Sequence, residues 1–428
     1  MNRSFRLLVA AVVFVSAATP SLVEADSIAI EHGKVYSVSG PPIERGTVVI
    51  TDGRIAAVGA DDAISVPPDA QVYDASGKIV TPGLIDAGTQ MGLVEVELTS
   101  QTVDSSFDVH DPIRAAFRVV DGFNPYSTLI PITRIEGVTT VLTRPSGGVI
   151  SGQAALVDLY GRSLHDMLIK APAAMMAHFG TGGALEGGSR GGVALILRRT
   201  LEDARYYGAH RSEYDVNRSR TMSASRLDLE ALQPVLSGEL PLLVQADRAS
   251  DIEAVLSVAK EFGIQVVLTG AAEGWLVAKD LAEAQVRVLV GPLSDLPGSF
   301  STIDSTFADA ARLDAAGVEV GIVSGSSHNS RNLSIEAGRA VAAGLPWERA
   351  LRAITLTPAR AFGVANDYGS LDSGKVADVV VWSADPLDFD GYAEAVWIRG
   401  HRVPMTSRQE MLFKRYETLD GTPPAYKR

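Results

Sequence analysis

Cysteine is absent from all 428 residues of the chain. This absence excludes disulfide bonds, thiolate metal ligands and cysteine nucleophiles. Stability must therefore come from a packed core. The length and the 46% share of hydrophobic residues suffice for one large barrel with an appended domain, or for two to three smaller domains.

Long basic runs are also absent, and the formal net charge is −13. A nucleic-acid-binding protein needs a concentrated lysine and arginine surface, so we expect no nucleic-acid partner. No apolar run reaches the length of about 20 residues that crosses a bilayer, so we expect no stable membrane insertion.

The first residues have the features of a targeting segment. Arg3 and Arg6 precede an apolar stretch over 7–18, and the small residue Ala25 stands before Asp26. This order is typical of a cleavable signal peptide, here over residues 1–25, although an uncleaved anchor is an alternative. We therefore expect a periplasmic or secreted protein.

β-rich segments stand at both ends of the mature chain. Residues 26–79 contain short β-rich runs with turn residues between them, and Asp52-Gly53 is a strong hairpin signal. Residues 366–405 return to this pattern before a tail over 406–428. The two segments are predicted to pair into one small β domain.

Residues 80–365 alternate between apolar runs and helical patterns. Runs suited to buried parallel strands occur at 137–142, 154–159, 242–246, 265–268, 286–290 and 318–323. The number of these units favours a closed (β/α)8 barrel of the TIM type, an α/β fold, over an open sheet. The charged stretch 184–238 is predicted to be a helical excursion on one loop, either a lid or a solvated hairpin.

Four segments in order resemble the amidohydrolase superfamily, specifically its imidazolonepropionase-like branch. They span residues 77–86, which end in Pro82-Gly83-Leu84-Ile85-Asp86, and residues 241–249, 353–362 and 369–378. The resemblance covers nearly the whole mature chain. It implies a barrel over 80–365 and a β-sandwich built from 26–79 and 366–405.

The resemblance also implies where a catalytic metal would be held, and this chain departs from the pattern there. The family has His-x-His after the first strand, histidines on the fifth and sixth strands, and an aspartate after the eighth. This chain has instead Gly88, Gln90, Gln245, Ser324 and Ser326, and its sixth strand, in Val267-Leu268-Thr269-Gly270, offers no histidine. Zinc catalysis needs about three protein ligands and an open position for water, so we expect no metal and no other cofactor.

A few residues of the resembling segments could still act. His178 near the end of the fourth strand, Asp247 after the fifth and His328 after the eighth are candidate catalytic groups, although a lone histidine at such a place is more often a hydrogen-bonded wall residue or part of a polar loop. The residues at the altered ligand positions are candidates for substrate binding: Gln90, Gln245, Ser324 and Ser326.

Two functional hypotheses follow, and whether the chain is an enzyme stays open between them. The first is an exported amidohydrolase-family protein that is impaired in catalysis and binds a small ligand or a partner, such as a paired active amidohydrolase. The alternative is a hydrolase of carbon–nitrogen bonds, in a cyclic amide or a dipeptide-like substrate. It would use a non-standard site that either holds a divalent metal on unusual ligands or works without a metal.

Overall fold

The computed structural model describes residues 27–106, 111–216 and 218–417. The predicted signal peptide at 1–25 and the end of the predicted tail, 418–428, lie outside the described residues.

Strands and helices alternate along most of the described chain. The strands are β1 Ser27–Val35, β2 Ile43–Thr51, β3 Arg54–Ala60, β4 Gln71–Asp74, β5 Ile79–Pro82, β6 Leu84–Thr89, β7 Val138–Thr143, β8 Ile150–Asp158, β9 Leu168–His178, β10 Leu242–Ala246, β11 Val266–Gly270, β12 Arg287–Val290, β13 Val320–Ile322, β14 Val379–Trp382, β15 Ala393–Ile398 and β16 His401–Arg402. The α-helices are α1 Leu129–Arg134, α2 Leu164–Met167, α3 Thr181–Gly187, α4 Arg190–Ala209, α5 Arg211–Asp215, α6 Arg226–Ala231, α7 Gln233–Leu236, α8 Ala249–Phe262, α9 Ala278–Glu283, α10 Asp309–Ala315, α11 Leu333–Ala342, α12 Trp347–Ala353, α13 Leu356–Ala361 and α14 Arg408–Tyr416.

The two ends of the chain form one sheet, as their β-rich sequences predict. Its strands run in the order β16-β15-β14-β5-β1-β2-β3, with β4 also paired to β1. The antiparallel pair of β5 and β14 joins the segment that precedes the barrel to the segment that follows it. Asp52 and Gly53 both have positive φ, the conformation that a tight hairpin between β2 and β3 requires. Side chains from both ends share one apolar core, which includes Ile30, Val80, Val379 and Trp397.

The second sheet follows chain order from β6 to β13 and forms a nearly closed barrel of eight strands. Its two edges meet because the backbone N–H of Ser324, just past β13, donates to Oδ1 of Asp86 on β6 at 3.2 Å. The predicted barrel with an appended β domain is thus confirmed. Helices such as α8 and α11 pack their buried apolar residues against the outside of the strands.

One strand runs against the prediction. The run 154–159 was expected to lie in a parallel strand, but β8 pairs antiparallel with both β7 and β9. The connections on either side, 144–149 and 159–167, are too short for a crossover, which takes a dozen or more residues. The start of β8, rather than its end, therefore lies at the barrel rim where the other strands finish.

The predicted excursion at 184–238 is helical and belongs to the outer layer of the barrel. Helix α4 buries Val193, Leu197 and Leu201 in the same core as the strands. Arg190 at its start pairs with Asp251 on α8 at 2.9 Å. Among the described residues, no helix combines the length and apolar character needed to span a membrane.

Candidate ligand site at the barrel mouth

The carboxyl ends of the barrel strands bring together residues that are far apart in sequence. In the strand register, Gln245 on β10 lies beside His178 on β9 and Thr269 on β11. Since β8 is reversed, Ser151 at its start lies on this rim as well. Such convergence at the carboxyl ends of strands is where barrels of this type build their sites. We refer to this region as the barrel mouth.

A guanidinium group crosses the barrel mouth. Arg144 follows β7, and its Nη1 donates a hydrogen bond to Oγ1 of Thr269 on β11 at 3.3 Å. These are the second and sixth of eight strands, which lie on opposite sides of a barrel. Burial lowers the pKa of Arg144, while the charge of Asp86 acts in the opposite direction. An arginine side chain keeps its charge at neutral pH, so a fixed positive charge lies within the mouth.

His178 lies beside this charge and is held by Ser151. Its Nδ1 lies 2.9 Å from Oγ of the fully buried Ser151. Burial, together with the positive charges of Arg144 and Arg114, lowers the pKa of His178 to about 4. The imidazole is therefore neutral at pH 7. A base with so low a pKa accepts a proton poorly, so the environment favours a hydrogen-bonding role over general base catalysis.

Arg114 is the second cation of the mouth and is only 2% exposed. Its Nε donates to the carbonyl oxygen of Asp111 at 2.7 Å, and its Nη2 lies 3.9 Å from Oε1 of Glu186. The guanidinium lies against Gly147, which has a φ of +80°. A Cβ at that position would lie 2.4 Å from Nη1, so only glycine allows this approach.

Sequence reasoning missed both arginines. Arginine is common in loops, and neither position belongs to the family pattern. One signal for Arg144 was available, because it directly follows the apolar run that predicts the second barrel strand. A charged residue at the carboxyl end of a barrel strand indicates a site.

Asp86 links the first and last strands of the barrel. This fully buried carboxylate accepts hydrogen bonds from the backbone N–H of Gly88 at 2.9 Å and from that of Ser324. The hydroxyls of Ser324 and Ser330 also donate to its Oδ2. The predicted ligand-binding hydroxyl of Ser324 is thus already used within the protein.

The loop after β13 uses its other polar groups in the same way. Oγ of Ser326 accepts a hydrogen bond from the backbone N–H of Asn329 at 3.2 Å. Oγ of Ser327 accepts one from the backbone N–H of Gln90 at 3.1 Å. His328 is exposed in this loop, and within the described part of the chain no hydrogen bond joins it to His178 or Asp247. The structure therefore places His178 at the end of β9 and Asp247 just past the neighbouring β10, whereas His328 is exposed in the loop after β13 and bonds to neither.

Position 88 has no room for a side chain. A Cβ on Gly88 would lie 2.5 Å from Cβ of Val323 and 3.1 Å from the backbone nitrogen of Gly325. Val323 is buried and occupies this space. The residue after β13 is thus packed against the glycine on β6.

Four buried carboxyl groups influence one another electrostatically: Asp247 just past β10, Asp295 past β12, Asp309 at the start of α10 and Glu336 on α11. Burial raises the pKa of Asp247 to about 6 and that of Asp295 to about 7. Burial likewise raises the pKa of Asp309 to about 8 and that of Glu336 to about 7. Asp295 and Asp309 each have a buried Oδ2 without a hydrogen-bond partner in the described structure. Neutral, protonated carboxyl groups fit this environment better than carboxylates.

Across residues 27–106, 111–216 and 218–417, no group of three or more histidine, aspartate or glutamate side chains is arranged to hold a metal ion. The candidate amides Gln90 and Gln245 are both partly exposed at the mouth. The carbonyl oxygen of Gln245 also accepts the N–H of Phe179, just past the end of β9, at 2.8 Å.

Comparison with known proteins gives matches over most of the chain. The profile of the Amidohydrolase family matches residues 244–403. The imidazolonepropionase of Streptococcus sanguinis is 27% identical over 380 residues, which cover 82% of this chain and 86% of that protein. An amidohydrolase of Hapsidospora irregularis is 24% identical over 393 residues, and the match spans 84% of this chain but 39% of that longer protein. The crystal structure of an amidohydrolase from Thermotoga maritima superimposes with a TM-score of 0.80 at 27% identity, covering 88% of this chain and 99% of that one.

Proposed function

Because the chain belongs to the amidohydrolase superfamily, in its imidazolonepropionase-like branch, we propose that it is an exported member that binds a small ligand at the barrel mouth without the catalytic metal. Catalysis by metal-activated water is correspondingly impaired.

The contact between Arg144 and Thr269 carries this proposal. Thr269 stands on the sixth strand, where the family pattern expects a histidine ligand, and its hydroxyl accepts a hydrogen bond from a guanidinium. A fixed positive charge at this place opposes a divalent cation through direct repulsion. It also supplies hydrogen-bond donors where a metal would need acceptors.

The remaining donor positions support the same conclusion. Gly88 has no side chain, and Val323 fills the adjacent space. Gln90 and Gln245 offer neutral amide oxygens, which are weak ligands for zinc. The hydroxyl of Ser324 donates a hydrogen bond to Asp86. These residues do not fit a zinc ion.

Metal analysis of the purified protein tests the proposal. The protein is dialysed against excess zinc, freed of loosely bound ions and analysed by mass spectrometry, with the imidazolonepropionase of Streptococcus sanguinis treated in parallel. We expect zinc in this chain to stay far below one ion per molecule. One tightly bound zinc per chain, lost when Gln90 and Gln245 are replaced by alanine, would refute the proposal.

A second candidate function is hydrolysis of a carbon–nitrogen bond by a non-standard site. The pairing of Ser151 with His178 favours it, because it orients a neutral imidazole at the barrel mouth. The low pKa of His178 counts against it, since that group is a weak base. Hydrolysis of a cyclic amide that survives a chelator but is lost in His178→Gln would favour this function over the first.

Export and partnership are further parts of the proposal. Cleavage before Asp26 would deliver the chain to the periplasm or the medium, and N-terminal sequencing of the exported protein tests it. A paired active amidohydrolase is the proposed protein partner. Co-purification of such a partner at a fixed mass ratio would support this, whereas a chain that elutes alone would count against it.

A further inference from the structure

We propose that a second ligand site lies between the β domain and helix α12, and that it binds a planar aromatic ring with an anionic substituent. This site is separate from the barrel mouth, so the inference does not rest on the proposed function.

The site is a cleft with a volume of about 420 Å³. It lies between residues 36–42, which join β1 to β2, and the start of α12. Arg349 and Arg352 of α12 also line a neighbouring cavity with Gly317 and Val318, which precede β13. The cleft therefore lies near the amino ends of the barrel strands, away from the mouth. Small-molecule sites span roughly 300–1,000 Å³ and occur preferentially at domain junctions, so this cleft has the size and the place of one.

An aromatic pair forms one wall of the cleft. The rings of Tyr36 and Trp347 have centroids 4.5 Å apart and planes tilted by 45°. The indole N–H of Trp347 donates to both carboxylate oxygens of Asp385 at 3.0 Å, which fixes the orientation of the ring. Pro42 and Pro346 also line the cleft, and their fixed φ angles make its walls rigid. Such a cleft favours a flat aromatic ligand, which stacks on ring faces at little cost in protein ordering.

Backbone strain is present at Val38, which lines the cleft. This residue has a φ of +71°, a conformation that a β-branched residue adopts only when the surrounding structure imposes it. Nη2 of Arg352 donates to the carbonyl oxygen of Val38 at 3.0 Å, so the bond joins the two walls of the cleft. Strained residues of this kind cluster at ligand sites, where the strain fixes a group in place.

The charged lining of the cleft favours an anion. Arg349 and Arg352 supply two cations, against one acid, Glu348. Burial, together with the positive charges of Arg360 and Arg349, lowers the pKa of Arg352, while the charge of Glu319 acts in the opposite direction. Arg352 stays charged at neutral pH, because an arginine in a protein keeps its proton. An anionic substituent is therefore favoured over a cationic one.

NMR of the four tryptophan indole N–H groups tests the proposal. The tryptophans of the full chain are labelled with ¹⁵N, and Trp347→Phe identifies the signal of Trp347. Naphthalenesulfonate, naphthalenesulfonamide and methanesulfonate are added separately at constant ionic strength. We expect a saturable shift of the Trp347 signal with naphthalenesulfonate and no shift with methanesulfonate. The neutral sulfonamide should bind at least about threefold more weakly, because it loses an ion pair.

Substitutions separate the ring from the charge. Tyr36→Ala removes half of the aromatic wall and should weaken both naphthalene compounds at least about fivefold. Arg352→Met should weaken the sulfonate at least about threefold and leave the sulfonamide unchanged. Arg198→Met, at a partly exposed arginine of α4 that pairs with Glu261, is the matched control and should bind as the parent does.

Several outcomes would overturn the proposal. Equal affinity for the sulfonate and the sulfonamide would exclude a role for the charge, and a response to methanesulfonate as strong as that to naphthalenesulfonate would exclude a role for the ring. An equal shift of the Trp275 signal, or a shift that does not saturate, would show that the aromatic probe associates unspecifically. If Arg352→Met does not fold because Val38 is released, Arg349→Met removes the neighbouring charge, and unchanged sulfonate binding by that variant would refute the electrostatic part.

Discussion

Arg144 and Thr269 meet across the barrel, the guanidinium of the second strand donating to the hydroxyl of the sixth at 3.3 Å. Side chains at the carboxyl ends of the strands set the chemistry of a barrel's site, and this hydrogen bond joins two opposite strands there. Here it brings a permanent cation close to His178, whose protonation becomes a direct probe of that charge.

The titration of His178 should respond to Arg144. A nearby cation disfavours the imidazolium form, so removing it raises the pKa. We expect the His178 ring to titrate near pH 4 in the parent and at higher pH in Arg144→Met. Because burial is the larger cause, the new value should stay below the ordinary value of 6.5. NMR of the ring carbons measures the pKa of His178 in the parent and in Arg144→Met. Arg349→Met, on the outer helix α12, is the control and should leave that pKa unchanged. An unchanged pKa in Arg144→Met would show that the guanidinium does not lie close to His178.

Stability should fall as the pH rises from about 6 to about 8. Acids with a raised pKa in the folded protein bind more protons when folded than when unfolded, so their contribution is lost with rising pH. Asp309, with a pKa of about 8, dominates the upper part of this range. Urea unfolding at several pH values should show the fall, and Asp309→Asn should flatten it.

The control for this experiment is Asp280→Asn, at an exposed aspartate on α9. Its pH dependence should match that of the parent. A flat profile for the parent, or equal slopes for the parent and Asp309→Asn, would show that Asp309 does not take up a proton on folding.

A side chain at position 88 should destabilise the barrel. In Gly88→Ala the new Cβ would lie 2.5 Å from Cβ of Val323, closer than unstrained atoms approach. Overpacking of this kind costs about 1–3 kcal/mol. In a double-mutant cycle, Val323→Gly should make Gly88→Ala less harmful, because it removes the Cβ and Cγ2 atoms that the new methyl group would meet. Additive effects of the two substitutions in chemical unfolding would contradict this packing.

Asp86→Asn should also lower the free energy of unfolding. The carboxylate accepts from two backbone N–H groups and two hydroxyls, and an amide has only one accepting oxygen. Leaving buried donors unpaired costs about 1–3 kcal/mol. Glu97→Gln, at an exposed position, is the matched control and should change stability by no more than about 0.5 kcal/mol. Equal stability of the two variants would show that this network contributes little.

Much of the architecture follows from local patterns in the sequence. Asp52-Gly53 identifies a hairpin because few other residue pairs adopt two consecutive positive φ values. The apolar runs identify the barrel strands because strands covered by helices are buried on both faces. The direction of β8 was missed because an apolar run is the same in either direction. The short connections before and after β8 indicate its antiparallel direction, because a parallel strand needs a longer crossover.

The site was harder to predict than the fold. The family pattern pointed to Gln90, Gln245, Ser324 and Ser326, because these residues stand where the family has its metal ligands. The contacts of Arg144 and Arg114 depend on which strands face each other, and that becomes known only when the barrel closes. Ser151 could not be assigned to the mouth while β8 was taken as parallel, since its start would then lie at the opposite end.

The pairing of β5 with β14 has a consequence for synthesis of the chain. Strand β5 is complete at Pro82, but its neighbour β14 begins only at Val379, so all eight barrel strands are translated before that edge of β5 is covered. An uncovered strand edge is a template for pairing with other chains. A nascent chain that stalls before Val379 therefore exposes the unpaired edge of β5, and we expect that edge to need chaperone protection until β14 is made.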